Sequence, residues 1–271
     1  MRGMYAARAV IIGVLALTAG CATKRDLVPP GTAQADQFLF EKGEAALKDR
    51  KWINAREYYR QIVDNYPQST YRPDAKLAVG DTYIGEHSTE SLLLAINEFR
   101  EFLTFYPTNP RADYAQYKLG YAHAEQMLRP ERDQSATRDA VKELNTFVER
   151  YPNSALMPEA QKLLREAKDH LSEASYRVGF YYYRVKWYVG AIDRFKEVLA
   201  NDPEYTARDA VYFYLAESLY RSPKMQPEAL PYYDRLLKEF EQSEYLERAK
   251  KRIDELKNAD NAKPGEKKGV S

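Results

Sequence analysis

The sequence predicts an all-α protein, a right-handed solenoid of about five helix pairs that ends in a C-terminal capping helix. Three observations lead to this prediction. A small residue and a large apolar residue recur four positions apart, a proline follows most of these pairs, and glycine contributes only 12 of the 271 residues. Residues four apart share one face of a helix, and proline cannot continue a helix.

The clearest copy of this pattern lies in residues 179–203. Gly179 precedes Ala191 by twelve residues, Phe195 follows Ala191 by four, and Pro203 follows it by twelve. A small alanine lets a neighbouring helix approach, and the phenylalanine fills the space beside it. These offsets are those of the tetratricopeptide repeat, so we expect a tetratricopeptide-like solenoid.

Similar offsets recur at four other places, where the small residues are Ala55, Ala95, Ala140 and Ala229. In the first three of these copies the closing proline follows a tyrosine, and in the last copy the proline is missing. Successive copies are spaced more widely than the roughly 34 residues of a standard repeat, so each step carries an insertion. One match would be weak evidence, whereas several matches in one frame predict a solenoid.

Residues 1–20 form a predicted lipoprotein signal peptide that ends just before Cys21, the single cysteine of the chain. Arg2 and Arg8 make its start basic, and its apolar segment, 9–17, is too short to cross a bilayer, which takes roughly 20 residues. The small residues before Cys21 resemble the lipobox of bacterial lipoproteins. We therefore expect Cys21 to carry a lipid anchor. An anchor with more than one acyl chain would hold the protein stably at a membrane.

A second interpretation of the leader stays open. The lipobox prefers leucine three residues before the cysteine, where this chain has Thr18. An ordinary secretory signal, cleaved near Ala19 or Gly20, would leave a free thiol at Cys21. The residue after Cys21 is Ala22 rather than aspartate. By resemblance to lipoprotein sorting in enteric bacteria, this favours the outer membrane.

The rest of the chain divides into regions of different composition and period. The segment after Cys21 contains two prolines and a glycine, and the last residues are polar and lysine-rich. The predicted regions are a lipidated flexible tether at 21–35, repeats one to three at 36–153, a long connecting helix at 154–186, repeats four and five with the cap at 187–257, and a disordered tail at 258–271.

Some local features can also be predicted. Asn109-Pro110 favours the start of a helix, because asparagine suits the N-cap and proline the first turn. The charged insertion at 129–137 is expected to be solvated. The connecting segment keeps a helical period throughout, so it is either one helix from about Pro158 or two helices with a bend near Asp169.

Composition argues against catalysis and against nucleic-acid binding. The chain has 41 basic and 40 acidic residues, whereas nucleic-acid binding normally requires a basic face. Its three histidines, His87, His123 and His170, show no metal-ligand spacing, and no phosphate-binding or nucleophile motif occurs. We therefore expect no enzyme, cofactor or metal. In solenoids, function normally lies in the surfaces that bind partners.

One tyrosine-rich segment, residues 106–121, reads YPTNPRADYAQYKLGY. It is similar to the segment P-x-H-P-x-x-D-Y-x-x-Y-x-x-G of the BamD family, with Asn109 where the family often has histidine. These proteins are the tetratricopeptide lipoproteins of the outer-membrane β-barrel assembly (Bam) machinery. The resemblance covers roughly residues 36–256. Further similar segments are YPNS at 151–154, YYYRVKWYV at 181–189 and TARDA at 206–210.

This resemblance implies a scaffold that is lipid-anchored to the outer membrane and faces the periplasm. The implied partners are the POTRA domains of BamA, other Bam subunits and unfolded outer-membrane proteins. Arg194 stands where the family places an arginine in its BamA-contacting half. Asp113, Tyr114 and Tyr117 match family positions in the front half.

Alternatives remain for these residues and for the function. Arg194 has a second interpretation as a solvated residue paired with Asp193 or Glu197, and the three residues of repeat three have a second interpretation as packing and capping groups. The alternative function is a generic tetratricopeptide lipoprotein adaptor, CpoB-like or pilotin-like, in cell-envelope maintenance or pilus assembly. Co-purification with BamA separates the two functions.

Overall fold

A computed structural model of the chain describes residues 28–29 and 31–261, and within these ranges the regular structure is entirely helical. The α-helices are α1 (Ala35–Lys48), α2 (Trp52–Asn65), α3 (Arg72–Glu86), α4 (Thr89–Phe105), α5 (Ala112–Ala124), α6 (Ser135–Arg150), α7 (Met157–Arg184), α8 (Tyr188–Asn201), α9 (Arg208–Tyr220), α10 (Leu230–Glu239) and α11 (Leu246–Asn261), and a 3-10 helix, Gln226–Ala229, precedes α10.

Helices that follow one another in the chain pack together from α1 to α11. They form five pairs, α1–α2 to α9–α10, and each pair packs on the next. The last helix, α11, packs on α10 and contributes Ala249, Ile253 and Leu256 to the core of the final repeats. The remaining contacts of this size join helices two apart, α5 with α7 and α7 with α9. Contacts confined to near neighbours in the chain are the arrangement of a solenoid. The predicted all-α, tetratricopeptide-like fold is confirmed.

The helix pairs close through one repeated contact between a glycine and a large side chain. An added Cβ on each of these glycines would lie only 2.6 to 2.8 Å from the opposing side chain, so no larger residue fits without displacement. The opposing side chains are all fully buried. The contacts are Gly43 under Tyr59, Gly80 under Phe99, Gly120 under Leu144 and Gly179 under Phe195.

A serine after the second helix fastens three of the pairs. Its hydroxyl donates to an aspartate in the first turn of the first helix, which ties together residues 33 to 41 positions apart. The fourth pair uses the reverse arrangement, with Ser172 on the first helix donating to Asp202 after the second at 2.7 Å. The three serine–aspartate contacts are Ser69–Asp36 at 2.6 Å, Ser154–Asp113 at 2.6 Å and Ser243–Asp209 at 2.7 Å.

The connecting segment is one continuous helix, α7, of 28 residues, which decides between the two predicted alternatives. Its first half packs against α6 through Ala160 and Leu164, and its second half belongs to the core formed by α8 and α9. Between these halves, Ala167 packs against Ala124 and Ala140, whereas the contacts with the α8–α9 loop are polar. There, Arg165 forms an ion pair with Asp202 of the α8–α9 loop, and Asp169 accepts hydrogen bonds from the same loop.

Some predicted boundaries differ from the structure. Helix α5 begins at Ala112 rather than Pro110, because Asn109 Oδ1 accepts the Arg111 N–H at 2.8 Å and forms a turn ahead of the helix. Within the predicted tether, Val28 packs against the front core, and α1 begins at Ala35. Helix α11 continues to Asn261, into the predicted tail.

The predicted signal peptide, the predicted lipidation site Cys21 and most of the predicted tail lie outside the described residues. Within the described part of the chain, no helix is both long enough and apolar enough to cross a membrane.

Candidate partner-binding site

The junction of α7 and α8 exposes a group of apolar side chains, which we call the α7–α8 corner: Tyr181, Val185, Trp187 and Val189. These side chains are 53% to 61% exposed. Large apolar residues scattered singly over a surface are normal, whereas a contiguous group marks an interaction site. The corner is therefore the strongest candidate binding surface of the back half.

The fold holds the corner in a defined conformation. The Trp187 ring meets the Tyr182 ring edge-on, with 4.5 Å between centroids. The indole also lies against Gly190, where an added Cβ would be 2.9 Å from it. Lys186, between the two helices, has a left-handed backbone (φ 63°), a conformation that costs non-glycine residues energy. The indole is thus fixed by its neighbours while about half of it stays exposed.

Positive charge borders the corner. Arg184 and Lys186 are exposed, and neither forms an ion pair with any described residue. Arg194 lies on α8 next to the buried Phe195, and its side chain is 45% exposed. Its Nη1 donates to Glu197 Oε2 at 2.8 Å, so the predicted pairing with Glu197 is present. An exposed pair of this kind contributes only about 0.3–0.5 kcal/mol, so it leaves Arg194 available to a partner.

The three candidates in repeat three lie together on α5, and each has a partner within the chain. Asp113 accepts the Ser154 hydroxyl in the contact that closes the pair. Tyr114 donates its hydroxyl to Asp81 at 2.8 Å, and Tyr117 packs edge-on against Phe147. These contacts agree with packing and capping roles. A partner-binding role for these residues stays a prediction.

The protonation of Tyr114 follows from its surroundings. Burial and the adjacent Asp81 carboxylate raise the pKa of Tyr114, so the hydroxyl keeps its proton and donates to that carboxylate. Lys118 Nζ lies 3.2 Å from Asp81 Oδ1 and balances its charge. Among the described residues, no hydrogen bond or ion pair joins Arg194 to this cluster, so the structure presents two separate candidate areas.

Comparison with known proteins places the chain in a family. A family model described as YfiO, outer membrane lipoprotein, matches residues 32–221. The chain belongs to this family of outer membrane lipoproteins. Relatives with the name outer membrane protein assembly factor BamD confirm the resemblance to the BamD family. They include the proteins of Caulobacter vibrioides (28% identical over 221 residues, 80% of this chain and 70% of the relative) and Vibrio cholerae (25% over 204 residues, 71% and 82%).

Two solved structures that are similar to this chain have lower sequence identity. A crystal structure of MamA protein is 16% identical and covers 77% of this chain and 93% of its own, with a TM-score of 0.35. A tetratricopeptide repeat protein from Parabacteroides merdae is 13% identical and covers 86% and 95%, with a TM-score of 0.36.

The sequence of this BamD-family chain gave only a partial indication of the candidate site. The segment YYYRVKWYV carries part of the resemblance, but its sequence does not indicate that Tyr181, Val185, Trp187 and Val189 are exposed. The insertion before α6 was expected to be solvated, yet its Gln134 is buried. The sequence offers one indication of this burial: Gln134 is uncharged and lies between Asp133 and the buried face of α6, which begins at Thr137.

Proposed function

We propose that this chain is a lipid-anchored outer-membrane protein assembly factor, a non-catalytic scaffold of the Bam complex. Its back half binds the POTRA domains of BamA and its front repeats meet unfolded outer-membrane proteins. The name that its relatives share, outer membrane protein assembly factor, supports the general role. The α7–α8 corner is the observation that supports a protein partner at the back half.

The chemistry of the corner suits a folded protein domain. Interface centres are enriched in tyrosine, tryptophan and arginine, and the most energetic contacts are aromatic or arginine side chains in desolvated positions. The corner supplies Tyr181 and Trp187, with Arg184 and Arg194 beside them. A matching partner surface would offer an apolar edge with carboxylates around it.

The front half offers a different kind of surface. Ile53 lies in the first turn of α2, and Leu93 and Leu94 lie in the first turns of α4; all three are exposed. Apolar side chains along one edge of successive repeats suit an extended, unfolded polypeptide, which presents alternate apolar side chains of its own. This supports the proposed contact with unfolded outer-membrane proteins.

Binding to purified POTRA domains tests the proposal. We expect Trp187→Ala with Arg194→Glu to weaken binding by the detergent-solubilised full-length protein at least tenfold, because the change removes an aromatic anchor and reverses a charge. Phe105→Ala is the matched control, since Phe105 is 68% exposed at the far end of α4. Undiminished binding by the double variant would contradict the assignment of the corner.

Point substitutions are preferable to removal of the back half. A truncation after Lys186 would uncover Tyr176, Phe180 and Tyr183, which pack on the core formed by α8 and α9. Loss of binding by such a fragment would not separate a missing interface from misfolding. The adaptor alternative predicts that the unaltered protein fails to bind POTRA domains at all.

A further inference from the structure

A cleft of about 590 Å³ lies beside the α7–α8 corner. One wall is the loop before α6, residues 130–134, and the other is the exposed side of α7, residues 174–182. Arg194 of α8 also lines the cleft. The cleft therefore joins side chains from repeat three to side chains from repeat four. Tyr181 belongs both to the cleft and to the corner, so the two surfaces are continuous.

The loop wall of the cleft is held in place by specific contacts. The Gln134 side chain is buried, and its Nε2 donates to the carbonyl oxygens of Arg129 at 3.0 Å and Arg132 at 3.1 Å. The Glu131 carboxylate forms an ion pair with Arg177 of α7. These contacts tie the loop to itself and to α7. The cleft is thus preformed, and a ligand does not have to order it.

Two arginines in the cleft have unused binding capacity. The lining contains Arg132, Arg177 and Arg194 and a single carboxylate, Glu131. Arg177 is neutralised by Glu131 and by Glu173. The Arg132 side chain forms no ion pair or hydrogen bond within the described residues, and Arg194 has only its exposed pair. Apolar groups of Val178 and the Tyr181 ring lie on α7 in the same cleft.

We propose that Arg132 and Arg194 act together as a clamp for an acidic segment on the surface of the BamA POTRA domains. The segment would present two carboxylates on either side of an apolar side chain that rests on Val178 and Tyr181. A guanidinium binds a carboxylate through two parallel hydrogen bonds, which gives both orientation and strength. This inference rests on the proposed function, and it adds a specific residue of repeat three, Arg132, to the binding surface.

The surroundings of the cleft favour a protein ligand over a lipid headgroup. A phosphate could pair with the guanidinium groups, but it would leave uncovered the exposed apolar surface, ending at Trp187 and Val189, into which the cleft continues. A protein partner can cover the charged cleft and the apolar corner at once. Binding of anionic lipid is therefore treated as a competing outcome of the test.

The test measures the affinity of detergent-solubilised full-length protein for purified POTRA domains at several salt concentrations. We expect Arg132→Glu to weaken binding about tenfold, because like charges then face each other, and to make the affinity less dependent on salt. Arg129→Glu is the matched control: it makes the same charge change in the same loop outside the cleft, and should alter the affinity less than twofold. Circular dichroism checks that both variants remain folded.

The outcomes separate the inference from the proposed function. If Arg194→Glu weakens POTRA binding while Arg132→Glu behaves like Arg129→Glu, the clamp is wrong and the proposed function stands. If the unaltered protein does not bind POTRA domains, both are wrong. If Arg132→Glu keeps POTRA binding and instead loses binding to vesicles containing phosphatidylglycerol, the cleft takes a lipid headgroup and the clamp is again wrong.

Discussion

A buried carboxylate, Glu217, joins the last three helices, and its removal should destabilise the back half of the solenoid. Glu217 lies on α9 and is 2% exposed. Its Oε1 accepts from Tyr233 of α10 at 2.8 Å and from Arg252 of α11 at 2.7 Å, and its Oε2 lies 3.3 Å from Arg221. No sequence motif marks this residue, although its substitution should be among the most costly in the chain.

The expected cost follows from what each substitution leaves behind. Breaking a buried ion pair costs about 3–5 kcal/mol when the remaining charge stays buried. Arg252 and Arg221 are 26% and 41% exposed, so water can reach both side chains once the carboxylate is gone. The cost should therefore lie at the lower end of this range. We therefore expect Glu217→Ala to lower the free energy of unfolding by about 3 kcal/mol. Glu217→Gln keeps an acceptor for Tyr233 and should cost about 1–2 kcal/mol.

The pH dependence gives an independent check. Burial alone would raise the pKa of Glu217, but hydrogen bonds from Arg252 and Tyr233 and the charges of Arg252 and Arg221 outweigh it, so the folded-state pKa lies below the ordinary value of 4.5. A lowered folded-state pKa means that the carboxylate stabilises the fold fully above pH 4.5. This contribution is lost as the pH falls through the folded-state pKa. The stability difference between the unaltered protein and Glu217→Gln should narrow over that range.

Urea unfolding followed by far-ultraviolet circular dichroism, at pH 7 and at several values below pH 4.5, measures both effects. Glu247→Gln is the control, because Glu247 is an exposed residue of α11 whose only ion pair within the described residues is with Lys250. Its substitution should change the free energy of unfolding by less than about 0.5 kcal/mol. A cost below 1 kcal/mol for Glu217→Ala, or a difference between Glu217→Gln and the unaltered protein that stays constant with pH, would refute the reasoning.

Three further predictions concern the packing and the anchor. Gly179→Ala should lower the melting temperature, because overpacking against Phe195 costs about 1–3 kcal/mol. The higher helix propensity of alanine offsets only about 1 kcal/mol of this cost. An unchanged or higher melting temperature would contradict the tight contact. Ser154→Ala should lower the free energy of unfolding by urea by about 1 kcal/mol, since Asp113 Oδ2 loses its donor while Oδ1 keeps the Tyr114 N–H; an unaltered midpoint would show that the contact contributes nothing. Cys21→Ala should move the protein to the soluble fraction in cells that lack its partners, and complete retention by membranes would rule out the lipid anchor.

Local periodicity accounts for the parts of the fold that could be predicted. Ala191 and Phe195 share a helix face because of their four-residue spacing, and both are fully buried. Helix α2 ends at Asn65, because Tyr66-Pro67 follows at once and proline cannot continue the helix. Such features depend on a few neighbouring residues and are therefore readable from the sequence.

The candidate binding surfaces were less predictable, because they depend on which faces neighbouring helices leave uncovered. In the segment YYYRVKWYV, Tyr182 and Tyr183 pack against the core of the final repeats, while Tyr181 and Trp187 stay exposed. All four residues are aromatic, so composition could not separate the buried from the exposed. Arg132 and Arg194 are far apart in sequence, and only the docking of the insertion on α7 brings them into one cleft.

The sequence by itself determined the class of fold, the number of helix pairs and the family, because these follow from short-range spacing and from motifs that lie along the chain. Only the tertiary structure shows that α7 is one continuous helix, because the helical period of its sequence is compatible with one helix or with two. The polar contacts of Arg165 and Asp169 with the α8–α9 loop link residues 37 positions apart. The burial of Glu217 and the cleft at Arg132 are likewise known only from the tertiary structure, since both depend on contacts between helices that no local sequence pattern encodes.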